Sequence, residues 1–172
     1  MKILIRYLNK HGVFVILPFL LYLFHREIPV DKHNNFQEYN FGFIFFFFLL
    51  FSNFYFVVYH TEKIYQHNES SEGRFKFLAH TLGIIFFLSL TFASYYWCLY
   101  DYNESSFLNV DKENKYLDFL YYSFGVFIMN NTSEIQTNSL YAKLFVGTEM
   151  LTAFITLILI LANYKDLKAK TE

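Results

Sequence analysis

Residues 124–138, FGVFIMNNTSEIQTN, decide how this chain is read. The stretch opens as an apolar helical run and stops abruptly at Asn130. Asn131, Thr132, Ser133 and Glu134 follow, and from Leu144 the chain is apolar again. Working outward, Tyr116–Met129 is apolar but too short to cross a bilayer, which needs about 20 apolar residues in a helix. It is also too apolar for an ordinary loop.

Composition sets the class in which such a segment makes sense. The chain has 172 residues, of which 55% are hydrophobic and 23% aromatic, including 24 Phe and 15 Tyr. A water-soluble domain of this size has too little interior for so much apolar area. The net charge is −1 and no basic block is present, which gives no footprint for nucleic acid. A single cysteine, Cys98, excludes an intrachain disulfide and zinc clusters. It reads as a small apolar residue in a membrane helix. None of the six histidines has metal-ligand spacing. His60 and His80 read as interfacial residues, with a pH-sensing pair as the alternative. No nucleotide loop, catalytic triad or carboxylate pair supports an enzyme, and no metal or cofactor is expected.

Four segments have the hydropathy of membrane helices: Gly12–Phe24, Phe41–Tyr59, Phe77–Tyr100 and Leu144–Ala162. The first is short and reaches spanning length with part of ILIRYL before it, or as a longer tilted helix kinked at Pro18. A signal-peptide core is its other reading, but HREIPV has no small-residue cleavage pattern. Lys2, Arg6 and Lys10, then Lys63, Arg74 and Lys76, then Lys165, Lys168 and Lys170 fall on one side of these spans. The positive-inside rule puts that side, and both termini, in the cytoplasm. Acids outnumber bases on the other face. Tyr95, Tyr96, Trp97, Tyr100 and Tyr102 read as an aromatic belt at the outer end of the third helix. Asn53, inside the Phe-rich second helix, is expected to hydrogen-bond across a helix interface.

In this setting the opening stretch has a specific layout. Backbone that leaves helical form at membrane depth must line a water-filled cavity or be buried in protein. A re-entrant helix, then polar extended residues, then a full crossing is the arrangement of a pore loop. The competing reading is a polar external loop after an interfacial helix, with Asn-Asn-Thr-Ser as turn chemistry. In the last helix, Thr148, Thr152, Thr156 and Asn163 fall within one stripe of about 80° at helical periodicity. Such a stripe suits a water-filled cavity. Threonine hydroxyls bonded back to the carbonyl four residues earlier are the alternative. Glu149, at the edge of the stripe, is an ionisable group inside an apolar helix and is expected to be paired.

Tyr121–Leu151, YYSFGVFIMNNTSEIQTNSLYAKLFVGTEML, resembles the pore loop and inner-helix start of the two-helix-pore, potassium-channel-like family. The match is ungapped and rests on Tyr121, Ser123, Phe124, Ile135, Ala142, Leu144, Glu149 and Leu151. Hydropathy and charge give an all-α membrane fold with four transmembrane helices, and the resemblance, which does not cover the first two, implies a re-entrant pore helix and loop between the third and fourth. Residues 1–76 would be a two-helix membrane segment with a cytoplasmic loop, and 77–172 the pore domain. It places the family's TVGYG filter on Met129, Asn130, Asn131, Thr132 and Ser133. The filter glycines are Asn131 and Ser133 here, so a stack of backbone carbonyl rings is not expected. Glu134 would form an outer-mouth ring of carboxylates that attracts cations. Thr148, Thr152, Thr156 and Asn163 would line the inner pore. Glu149 would be a structural acid bonded behind the filter or to the pore helix. The expected protein is a homotetramer in membrane lipid, passing monovalent cations with weak selectivity, in a bacterial plasma membrane. The alternative is a non-conducting four-helix interaction or effector subunit with a relic pore loop.

Overall fold

The computed structural model describes residues 12–23, 43–59, 74–130 and 133–169. The chain is mostly helical: α1 (Gly12–Leu23), α2 (Phe43–Tyr59), α3 (Arg74–Tyr102), α4 (Lys115–Phe127) and α5 (Leu140–Ala169). Two of these are long and apolar enough to cross a membrane, through Thr81–Tyr102 of α3 and Leu140–Ala162 of α5. Within the described residues α1 and α2 are shorter apolar helices. At 1.5 Å per residue they extend about 18 and 26 Å. The last helix begins at Leu140, four residues before its apolar run. Ser139 accounts for this, because its Oγ accepts from the Ala142 amide at 3.1 Å and caps the first turn.

The core is aromatic. Tyr95, Tyr96 and Tyr100 are buried and do not form the interfacial belt expected of them. Tyr95 lies 4.8 Å from Phe45 of α2 and 6.0 Å from Phe145 of α5, centroid to centroid. Tyr96 meets Phe107, Phe119 and Tyr122. Tyrosine is abundant both at membrane interfaces and in protein cores, and only packing separates the two. Trp97, half-buried, holds α1 through Phe19 and Tyr22. α1 also meets α2 where Phe14 stacks on Tyr55. The Phe-rich run of α2 has two faces: Phe45 and Leu49 are buried, while Phe43, Phe47, Phe51 and Phe54 are exposed.

Two very short strands, β1 (Phe107–Leu108) and β2 (Gln136–Thr137), pair antiparallel, Phe107 with Thr137 and Leu108 with Gln136. They tie the connection after α3 to the segment before α5. A 3-10 turn, Glu104–Ser106, precedes β1 and is capped by Asn103, whose Oδ1 accepts from the Ser105 amide at 3.0 Å.

Asn53 departs from expectation. It is 5% exposed, yet neither side-chain amide atom has a hydrogen-bond partner among the described residues. A buried amide without partners costs about 1–3 kcal/mol. Asn53→Leu should therefore raise stability by about 1–2 kcal/mol, read as a higher apparent unfolding midpoint in detergent. An unchanged or lower midpoint would mean that the amide is satisfied in the folded protein.

Candidate functional site

The route of α4 creates the site. Lys115 Nζ stands 5.4 Å from the centroid of the Tyr100 ring, near the C-terminal end of α3. One residue on, the Tyr116 hydroxyl lies 3.2 Å from Ser94 Oγ. Tyr122 packs on Tyr96, and Phe124 reaches Phe86, with ring centroids 6.1 Å apart. α4 therefore runs antiparallel to α3, alongside about 20 Å of it. The chain then comes back. The Asn138 amide donates to Ser106 O at 2.9 Å, and Asn138 Nδ2 donates to Ser105 O at 2.9 Å. Residues 128–130 thus lie beside the middle of α3, and residues 133–139 lead to its C-terminal end, where α5 starts.

Glu149 holds this arrangement from the α5 side. Its side chain is fully buried. One carboxyl oxygen accepts from the Tyr96 hydroxyl of α3 and the other from the Ser123 hydroxyl of α4. Among the described residues no cation balances it. A buried carboxyl group is tolerated only when hydrogen bonds replace its hydration, and these two hydroxyls supply them. Lys143, on α5 itself, is exposed and points elsewhere.

The turn at the foot of α4 is a helix cap. The Asn130 amide donates to Gly125 O at 2.9 Å and the Met129 amide to Val126 O at 3.1 Å. Met129 has φ 54°, in the left-handed region. This pair of bonds around a left-handed residue is the Schellman arrangement, which satisfies carbonyls at the helix end. Glycine normally takes that position, because a side chain there costs about 1 kcal/mol. Met129 and Asn130 are both exposed. Asn131 and Thr132 lie outside the described residues. Ser133 Oγ accepts from the Ile135 amide at 3.2 Å, and Ile135 is buried. Glu134 is exposed, and its carbonyl accepts from Asn109 Nδ2 at 3.3 Å. Asn109 is itself left-handed, φ 60°, a conformation asparagine tolerates.

The threonine stripe has its hydroxyls satisfied locally. Thr148, Thr152 and Thr156 donate to the carbonyls of Leu144, Thr148 and Thr152 at 2.8, 2.8 and 2.7 Å. Thr152 and Thr156 are buried within the chain, beside Glu149 and Ala153, and Thr148 is half-buried. The open face of α5 is the apolar one, with Leu151, Phe154, Ile158 and Leu161. The side chain of Asn163 and the residue His60 lie outside what is described, as does the side chain of His80. Among the described residues, no three His, Cys, Asp or Glu side chains are placed to hold a metal. No protein-family model, curated protein or solved structure matches the chain.

Sequence reasoning had no signal for Tyr96 as the partner of Glu149, which lies 53 positions away. Ser123 carried one, since it lies in the stretch that precedes the polar run. Two outcomes follow from these geometries. Glu149→Ala should destabilise the fold by about 2–4 kcal/mol, because it strands two buried hydroxyls. Glu149→Gln can still bond both and should cost clearly less. Equal losses in chemical or thermal unfolding would remove Glu149 from its bridging role. Met129→Gly should raise stability by about 0.5–1 kcal/mol by relieving the left-handed side chain. A loss of stability would show that Met129 does not adopt this conformation.

Proposed function

We propose that the chain is one subunit of a homotetrameric pore-loop cation channel. It would cross a bacterial plasma membrane four times with both termini cytoplasmic. The path of residues 115–139 carries this reading: a helix too short to span descends beside α3, and a polar segment climbs back to the same end before α5 descends. A chain that enters and leaves at one face of an apolar bundle brings polar backbone to depth, where it needs water or protein around it. One copy cannot enclose such a pathway, so several are required.

Glu134, exposed near the return to the outer end, is the group that would draw cations into the mouth. Asn130 and Ser133, on either side of positions 131 and 132 in the sequence, would offer amide and hydroxyl oxygens to a hydrated ion. Without the two filter glycines, selectivity among monovalent cations is weak. Of the threonine stripe, only Thr148 keeps partial exposure and remains available to the pathway. Glu149 acts as a structural acid that fixes α4 at its depth.

A second reading is a non-conducting four-helix membrane subunit that keeps the loop as a relic. Two observations favour it. Met129, which aligns with the first filter residue, is taken up by the cap of α4. Thr152 and Thr156 are buried in the chain's own packing.

Reversal potentials across a planar bilayer separate the readings. The purified protein is expected to pass potassium, sodium and a mid-sized organic cation with similar permeability, and to exclude chloride. Glu134→Gln should reduce the cation-over-anion permeability ratio several-fold. An unchanged ratio would remove the carboxylate ring. A chain that stays monomeric or dimeric in mild detergent and in cross-linked native membranes would favour the second reading.

A further inference from the structure

A cavity of about 370 Å³ lies where the start of α4 meets the C-terminal part of α3. Its volume falls in the range of small-ligand sites. Its wall has two ends of opposite character. Lys112, Glu113 and Lys115 form a charged end, and Trp97, Tyr116 and Leu117 an apolar one. Lys112 and Glu113 precede α4 and Lys115 opens it, while Leu117 lies further toward the middle of α3. Trp97 stands about 7.5 Å short of Tyr102, where the apolar span of α3 ends. The cavity thus passes from charge to apolar surface at the height where a membrane span gives way to the headgroup region, a depth that tryptophan favours.

Each wall is held by the fold. Lys115 Nζ is kept over the Tyr100 ring, and the Tyr116 hydroxyl lies 3.2 Å from Ser94 Oγ. Trp97 packs on Phe19 and Tyr22 of α1. Two nearby acids are committed to the turn and do not line the cavity. Asp118 Oδ2 accepts from the Asp111 amide at 2.9 Å, and Asp111 Oδ1 accepts from the Glu113 amide at 2.9 Å. Among the described residues, the side chains of Lys112 and Glu113 have no charged partner.

We propose that this cavity binds a glycerophospholipid whose headgroup carries both a phosphate and an amine. Lys112 and Lys115 donate to the phosphate oxygens. The Glu113 carboxylate accepts from the headgroup amine. The acyl chains leave past Trp97 and over Leu117, which is 63% exposed. Two cations and one acid beside an apolar floor match the charges of such a molecule and its two ends. A free phosphate would use the lysines but neither Glu113 nor the apolar end, and an apolar tail alone would leave all three charges unmatched. The proposal rests on the membrane placement that the channel reading assumes, and not on conduction.

Trp97 is the one tryptophan in the chain, so its fluorescence reads this site. The full chain is placed in phosphatidylcholine vesicles that carry the same small fraction of a brominated-chain phosphatidylethanolamine, phosphatidylglycerol or phosphatidylcholine. Bromine quenches tryptophan on contact. Phosphatidylethanolamine is expected to quench Trp97 at least two-fold more than either of the others. Glu113→Gln should lower its quenching to the phosphatidylglycerol level, and Lys112→Gln with Lys115→Gln should make all three lipids alike. Equal quenching in the unmodified protein, none at all, or a preference for phosphatidylglycerol overturns the site, and cation currents from that same protein would leave the channel reading standing. Relief of quenching by soluble phosphoethanolamine overturns the lipid assignment in favour of a free ligand. A chain that alkaline carbonate strips from the vesicles overturns the site and the membrane reading together. A phosphatidylethanolamine preference in a protein that never conducts keeps the site and overturns the channel reading.

Discussion

The arrangement of α3, α4 and α5 hangs from one carboxyl group. Glu149 lies fully buried in α5 and joins Tyr96 of α3 to Ser123 of α4. Its hydrogen bonds are directional and few, and a buried acid without them is expensive. The aromatic packing around Tyr96 could tolerate small slides, because ring contacts are forgiving of an ångström. The carboxyl bridge is not. It sets the height of α4, and through α4 the position of the cap at Met129 and the start of the polar return.

Much of this was legible beforehand, for physical reasons. Long apolar runs dictate helices, and α3 and α5 follow from hydropathy alone. Glu149 announced itself as a paired acid because an ionisable group in an apolar helix must find a partner. Its partner did not announce itself. Tyr96 is one of five aromatic residues near one helix end, and composition cannot say which of them face inward. Periodicity placed Thr148, Thr152 and Thr156 on one face without saying where that face points. An inward polar stripe meets either the chain's own helices or an axis shared with other copies. Here Thr152 and Thr156 meet the chain's own helices.

The loop shows a different limit. Left-handed positions are usually betrayed by glycine or asparagine, and the run after Met129 supplies two asparagines. The cap nonetheless falls on Met129, because hydrogen bonding at the end of α4 fixes which residue must turn. Strands of two residues carry no period at all, and β1 and β2 exist only because Phe107 and Thr137 are brought together by everything between them.

That last pairing favours one order of assembly over others. Thirty positions separate Phe107 from Thr137, and neither strand is long enough to form on its own. Closing so wide a loop for two pairs of residues is entropically unfavourable unless its contents are already in place. α4, which supplies most of that loop, packs extensively on its sequence neighbour α3 and is expected to dock there before the strands pair. α5 then brings Glu149 to the hydroxyls of Tyr96 and Ser123. The ladder closes last, as a clasp over a finished interior.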